Sequence, residues 1–306
     1  MDVTAIAFPF LGIYLENVPK SFQIFGVTIA LYGAIIGFGV ICAFTLMAAI
    51  TKKDGNNPDD IYDAGMWILG FGLVGARLYY VIFSWDYYKD NLASIINIRE
   101  GGLAIYGGVL AGLLTAFIWC RVKKKNLFAF LDTAALGALT GQIIGRWGNF
   151  TNREVFGGYS DNLFAMRLPI DAVRGRDISA DLEAHIVEGT NYIQVHPTFL
   201  YESFSNLILL ILIIAFRKKK KFDGECILWY LGGYGIIRFF IEGIRTDQLK
   251  FAGTNLAVSQ CLGMTLFIIS AALITFFRVR AYQAGKAERV ETTEKTEETE
   301  KTEKTE

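Results

Sequence analysis

Two short patterns of polar residues interrupt stretches of the chain that are otherwise apolar. Gln142, Arg146 and Asn149 are spaced i, i+4, i+7, which places them on one face of a helix. Tyr234, Arg238, Glu242 and Arg245 step by four, four and three and form a second such face. Arg77 and Glu202 add isolated charges to other apolar stretches. A charged side chain inside hydrocarbon costs at least a few kcal/mol, so such residues are functional candidates. Arginine offers a planar, permanently charged fork that matches phosphate oxygens. In a dry site the same donors stabilise charge developing on a leaving group. Structural ion pairing is the competing reading, since Arg238 and Glu242 are helical neighbours at i, i+4. Convergence of the whole set on one depth favours a site for an anionic lipid headgroup.

The elements that must hold these residues are long apolar runs. Hydrophobic residues make up 53% of the chain, and mean hydropathy is +0.35. Seven runs approach the ~20 residues needed to cross a bilayer: Val27–Ile50, Ile61–Phe83, Gly102–Cys120, Leu127–Gly148, Phe199–Phe216, Glu225–Ile244 and Leu256–Phe277. The fold expected is an all-α membrane protein, a seven-transmembrane helix bundle with an extracytoplasmic head loop.

Basic residues set the orientation through the short loops. Lys52 and Lys53, then Arg121 and Lys123 to Lys125, then Arg217 and Lys218 to Lys221 fall in three alternate loops, against Lys89, Arg99 and Lys250 in the opposing ones. This places the N-terminus outside and the C-terminus in the cytoplasm. Arg146, Glu202, Arg238, Glu242 and Arg245 then gather toward the extracytoplasmic leaflet, with Arg77 near the outer end of its helix. The organisation expected is an extracytoplasmic N-terminal segment over residues 1–26, a membrane domain over 27–279 that includes an extracytoplasmic head at 150–198, and a charged, disordered cytoplasmic tail over 280–306. Residues 3–15 are apolar but lack a basic flank and carry Pro9, so no cleavable signal peptide is expected.

Other chemistries find less support. The two histidines, His185 and His196, have no ligand-spaced partner, and no metal or other cofactor is expected. His196 precedes Pro197 where a helix should start, which suits a boundary role as well as a catalytic one. Cys42, Cys120, Cys226 and Cys261 lack redox or metal spacing and read as small buried hydrophobes. Glycines at four-residue intervals (Gly33 and Gly37, Gly108 and Gly112, Gly137, Gly141 and Gly145) suit close helix packing. They do not form a nucleotide loop, because no P-loop lysine follows. Net charge is zero, and no nucleic-acid partner is expected. A transporter would carry polar residues through both membrane halves and show an internal repeat; neither is evident.

The decapeptide Gly145-Arg146-Trp147-Gly148-Asn149-Phe150-Thr151-Asn152-Arg153-Glu154 resembles the signature of the prolipoprotein diacylglyceryl transferase family. Leu31-Tyr32-Gly33, Glu100-Gly101-Gly102-Leu103 with Tyr106-Gly107-Gly108, His196-Pro197-Thr198 through Tyr201-Glu202, and Gly233-Tyr234-Gly235 with Arg238, Glu242 and Arg245 are similar to further family motifs, in family order. The resemblance implies a seven-helix, N-out enzyme of the bacterial plasma (inner) membrane. It implies transfer of the sn-1,2-diacylglyceryl group from phosphatidylglycerol to the lipobox cysteine of a prolipoprotein signal peptide, forming a thioether and releasing glycerol 1-phosphate. Membrane lipids are the remaining partners. It further implies that Arg146 binds phosphatidylglycerol together with Tyr32, Asn149, Tyr234 and Arg245, and that Arg238, Tyr106, Glu154 and Glu242 are catalytic. Many family members carry histidine where this chain has Tyr106. Tyrosine, with an ordinary pKa of about 10, is a poorer base near neutrality. The thiol's base is therefore Tyr106 activated by an arginine, or one of Glu154, Glu202 and Glu242.

Overall fold

The computed structural model describes residues 1–97 and 101–303. Arg99 and Glu100, which the loop count and the first Gly-Gly motif use, lie outside the described residues. Nine α-helices occur among them: α1 (Leu31–Lys53), α2 (Asp59–Phe83), α3 (Trp85–Tyr88), α4 (Ile105–Val122), α5 (Leu127–Asn152), α6 (Ala180–Ala184), α7 (Thr198–Phe216), α8 (Glu225–Ile244) and α9 (Val258–Glu303). Seven of them, all except α3 and α6, are long and apolar enough to cross a membrane. Helix α9 runs on as far as Glu303, so its backbone takes in the Glu/Thr/Lys repeat that the sequence reading leaves disordered. Glutamate and lysine are strong helix formers, and a preceding helix removes the cost of nucleation.

The chain divides into two compact units, Met1–Gly39 with Ala138–Glu306, and Val40–Gly137. In the second unit α2 packs along α4 through glycines. A Cβ on Gly107 would come within 2.4 Å of the Gly75 carbonyl oxygen, and one on Gly75 within 2.8 Å of that of Gly107. Gly107 of the Tyr106-Gly107-Gly108 motif is thus held by backbone-to-backbone approach. Arg77 has a comparable structural task. Its guanidinium donates to the carbonyls of Ser94, Ile95, Asn97, Gly101 and Gly102, at 2.7–3.1 Å. It fixes the α3–α4 connection rather than offering a free charge. Trp119 and Lys123 both engage Asp63, at 3.0 and 2.8 Å.

The first unit carries features that helix patterning does not reveal. Strands β1 (Ile6–Phe8), β2 (Ile13–Leu15), β5 (Met166–Pro169) and β6 (Tyr192–Val195) form an antiparallel sheet in the order β2-β1-β5-β6. A hairpin, β3 (Ser21–Ile24) and β4 (Val27–Ala30), leads directly into α1. The expected head loop is therefore a folded β-structure that recruits the N-terminal segment. Its core gathers Ile6, Phe8, Phe156, Leu168, Ile193 and Phe199. Arg153, 3% exposed, ties the parts together by donating to the carbonyls of Thr4, Val18 and Thr151. On the far side of the unit, Gly235 of α8 and Gly263 of α9 meet; a Cβ on either would lie 2.4–2.5 Å from the other's carbonyl oxygen.

The expected glycine stripe is only partly used. Gly137 receives Met47 and Gly145 receives Ile36, whereas Gly33, Gly37 and Gly141 have nothing within 4 Å of a built Cβ.

Candidate active site

The C-terminal end of α5, the first turn of α7 and the C-terminal half of α8 bring the polar residues of the first unit together. Glu202, 1% exposed, is the hub. Arg146 Nη2 lies 2.7 Å from its Oε1, Tyr234 donates its hydroxyl to the same oxygen at 3.3 Å, and Arg238 Nη1 lies 3.5 Å from Oε2. Arg238 also holds Glu242, which is 2% exposed, through its other terminal nitrogen. Arg245 Nη1 approaches Glu242 at 3.9 Å. The same Arg245 grips Asp247 with two bonds, Nε to Oδ1 at 2.9 Å and Nη2 to Oδ2 at 2.8 Å. Burial alone would loosen the Arg245 proton, but Asp247 and Glu242 outweigh it and raise its pKa. Burial would likewise raise the Asp247 pKa, and the Arg245 guanidinium reverses this and holds it below the usual carboxylate value.

Helix periodicity explains the convergence. Glu202 and Ser203 open α7 against α5, where the Ser203 hydroxyl donates to the Ile143 carbonyl at 3.0 Å. Tyr234, Arg238, Glu242 and Arg245 project from one face of α8 by their four-residue steps. The end of α8 is pinned from outside the helix. Gly158 donates its N–H to the Ile244 carbonyl at 2.9 Å, and Gly157 bridges to Arg245. A side chain at Gly157 would strike the Ile244 carbonyl oxygen, 2.8 Å from a built Cβ.

The decapeptide builds the outer wall. Arg146 Nη1 donates to Asn149 Oδ1 at 3.2 Å, and Asn149 Nδ2 donates to Glu154 Oε1 at 3.1 Å. Glu154 also accepts from Asn152 at 3.3 Å and pairs with Arg174 at 3.1 Å. The chain can fold back this way because Arg153 adopts a left-handed conformation, φ 55°, just after the helix. Tyr32, in the first turn of α1, packs its ring on Gly148, with a built Cβ there only 2.6 Å from the ring.

One turn deeper lies a second polar layer. Gln142 donates to the Tyr230 hydroxyl at 2.9 Å, and the Tyr230 ring stacks on that of Tyr234 at 5.8 Å. Asn206, fully buried and one turn below Glu202 on α7, leaves both its side-chain oxygen and nitrogen without a partner among the described residues, as does the Gln142 oxygen.

Of the residues singled out in the sequence, Arg146, Asn149, Glu154, Tyr234, Arg238, Glu242 and Arg245 thus form one network, with Tyr32 packed on its edge. Tyr106 belongs to the other unit, where it is more than half exposed on α4. Glu202 is singled out in the sequence as an intramembrane charge and as one of several possible bases; the structure makes it the centre of the cluster. Its single intramembrane charge on an otherwise apolar helix is the signal that identifies it. Asp247 and Arg174 leave no comparable signal, since both fall in polar stretches. His196 makes boundary contacts: its backbone pairs with Gly157 and Gly158, and burial lowers its pKa. No group of three or more metal-ligating side chains occurs among the described residues.

Arg146, Arg238 and Arg245 are matched by Glu202, Glu242 and Asp247, which makes a charge-balanced resting site. A phosphate arriving there would compete with Glu202 for the arms of Arg146 and Arg238.

Comparison with known proteins agrees with this architecture. The family profile described as prolipoprotein diacylglyceryl transferase matches residues 19–276. A phosphatidylglycerol–prolipoprotein diacylglyceryl transferase from Finegoldia magna is 40% identical over 254 residues, covering 83% of this chain and 93% of its own length. Similar enzymes from Lactobacillus acidophilus and Clostridioides difficile are 39% and 38% identical, covering 85% and 78% of this chain and 90% and 87% of their own lengths. The chain belongs to the prolipoprotein diacylglyceryl transferase family.

Proposed function

We propose that the protein transfers the sn-1,2-diacylglyceryl group of phosphatidylglycerol to the lipobox cysteine of a prolipoprotein. The observation that carries this reading is the Arg146–Glu202–Arg238 cluster, built by family motifs at one end of three apolar helices. The reaction is a displacement at C3 of the glyceryl unit. The thiolate sulfur forms a bond to C3, the C3–O bond breaks, and its electron pair leaves with the phosphate of glycerol 1-phosphate.

Each part of the network has a task in that step. The phosphate takes the terminal nitrogens of Arg146 and Arg238 and displaces Glu202. The two guanidiniums then neutralise charge growing on the leaving oxygen. Asn149 keeps Arg146 in place and is itself held by Glu154. Arg245 and Asp247 fix Glu242, which fixes Arg238. The released Glu202 carboxylate accepts the thiol proton, so the nucleophile forms only when the phospholipid is seated. Tyr234 bonds Glu202 and steers it. Tyr106 serves as a hydrogen-bonding residue rather than the base, because a phenol is a poorer proton acceptor near neutrality than a carboxylate.

The basic loops orient the cluster toward the extracytoplasmic leaflet of the bacterial plasma membrane, with the N-terminus outside and the C-terminus inside. Residues 150–198 then form an extracytoplasmic head, and residues 280–306 a cytoplasmic extension. Reporter fusions after Lys125 and after Lys250 should give opposite sides; a shared side would overturn the orientation.

Purified protein incubated with acyl-labelled phosphatidylglycerol and a lipobox peptide should yield a labelled thioether that requires the cysteine. Absence of transfer by folded protein in a phosphatidylglycerol bilayer would overturn the reading.

A further inference from the structure

A second built feature sits at the other end of the same helices. Glu202 and Phe216 are about 21 Å apart along α7 at 1.5 Å per residue. Around Phe216 is a groove of about 770 Å³, walled by Leu209, Leu212, Ile213, Phe216 and Trp229 and rimmed by Lys218, Lys219, Lys221 and Arg278. That volume falls within the range of small-molecule pockets, and its walls are as apolar as theirs.

The rim is organised around a buried carboxylate. Glu225, 0% exposed, accepts from Arg278 Nε at 2.6 Å and from the Lys221 backbone N–H at 2.6 Å. This spends Nε and fixes the guanidinium 5.9 Å from the Trp229 ring. The two terminal nitrogens of Arg278 find no acceptor among the described residues. The Lys218 and Lys221 ammonium groups meet no carboxylate among them, and Lys219 lies over the Phe216 ring at 5.1 Å. A planar fork locked by its third nitrogen, beside three ammonium groups and above an apolar slot, matches a phosphate carrying an acyl chain. A tryptophan at this depth also suits the membrane interface.

We infer that this groove binds an anionic glycerophospholipid of the leaflet in which the C-terminal end of α7 lies, with its phosphate on Arg278 and the lysines and a chain along Leu209 and Leu212. The chemistry of binding is phosphate recognition without reaction, because Arg278 is the single arginine among the groove residues, in place of the paired arginines of the other cluster. The site is separate from the transferase reading and does not depend on it.

Phospholipids brominated in their acyl chains test this, because bromine quenches only nearby tryptophan. The full chain is reconstituted in vesicles of phosphatidylcholine containing either brominated phosphatidylserine or brominated phosphatidylcholine at equal fraction. The Trp229 signal is taken as the difference between wild type and Trp229→Phe. Phosphatidylserine should quench it with about tenfold higher apparent affinity, given the attraction of several basic side chains for an anionic lipid. Lys218→Gln/Lys219→Gln/Lys221→Gln should abolish most of that preference. Arg278→Gln should do the same should the triple variant not fold, and its thermal unfolding can be checked beforehand. Equal quenching by the two lipids, which would indicate ordinary annular contact, overturns the inference. So does a preference that survives both sets of substitutions.

Discussion

Glu202→Gln separates the two tasks assigned to the hub. The carboxylate is 1% exposed and holds Arg146 at 2.7 Å and Arg238 at 3.5 Å. Removing one partner of a buried ion pair costs about 3–5 kcal/mol, because the other charge is left uncompensated. Glutamine keeps an oxygen for the Tyr234 hydroxyl, and Arg238 keeps Glu242, so the lower end, about 3 kcal/mol, is expected. Phosphatidylglycerol should return part of that loss, since its phosphate supplies the missing negative charge. Thermal unfolding in micelles should therefore show a larger phosphatidylglycerol-induced stabilisation for Glu202→Gln than for the wild type. In the transfer assay the apparent KM for phosphatidylglycerol should stay level or fall, because a competitor for the guanidinium arms is gone. Meanwhile kcat should drop by about 10²–10⁴, the usual loss on removing a general base. An unchanged kcat with a raised KM would refute both the displacement of Glu202 by phosphate and its role as proton acceptor.

Arg146→Lys keeps the charge but cannot reach Glu202 and Asn149 with two arms; kcat/KM should fall by about 10²–10³, as when one transition-state donor is lost, and retention of full activity would remove the fork argument. Gly263→Val places side-chain atoms where Gly235 now gives a backbone oxygen 2.5 Å from a built Cβ; overpacking should lower stability by about 1–3 kcal/mol in a chemical unfolding titration. Asn206→Leu exchanges a buried, unpartnered amide for an apolar group of similar size and should raise stability by about 1–3 kcal/mol in the same titration. His196 has a pKa lowered by burial, so the unfolded chain binds its proton more readily. The associated stability is present above the unfolded value of about 6.5 and is lost as pH falls through the lower folded value. His196→Gln should flatten that part of the unfolding profile, and an unchanged slope would show that another group is responsible.

The spans and the polar face of α8 were legible because hydrocarbon leaves few choices. A segment of ~20 apolar residues must be helical, and the rare charge within it must face protein. Seven spans match the seven apolar runs to within a few residues, apart from the last helix, which continues to Glu303. The β-sheet was not legible. Its strands are three or four residues long, too short for alternation to stand out, and two of them pair across more than 150 residues of sequence. Arg77 shows the opposite failure. Its charge at a helix end reads as a site residue, but five backbone carbonyls consume its donors. Charge within a span announces a task without saying whether the task is binding or architecture. That choice depends on the donors and acceptors brought by segments distant in sequence.

The acceptors around each guanidinium separate Arg77 from Arg146 and give the resting site its logic. A guanidinium surrounded by carbonyls cannot release them without unfolding a loop, so Arg77 is architectural. Arg146 and Arg238 instead face carboxylates, which a phosphate can replace charge for charge. A dry cluster of bare arginines would not persist, because unpaired buried charge is too costly. One filled with carbonyls would not open. Pairing the arginines with Glu202 keeps the empty site folded and makes the incoming phosphate a substitute rather than an addition. In the proposed mechanism the displaced carboxylate is then left beside the reacting thiol without its cations. That mechanism couples phospholipid binding and proton removal through one residue, which is why a single substitution at Glu202 should move stability, KM and kcat in three different ways.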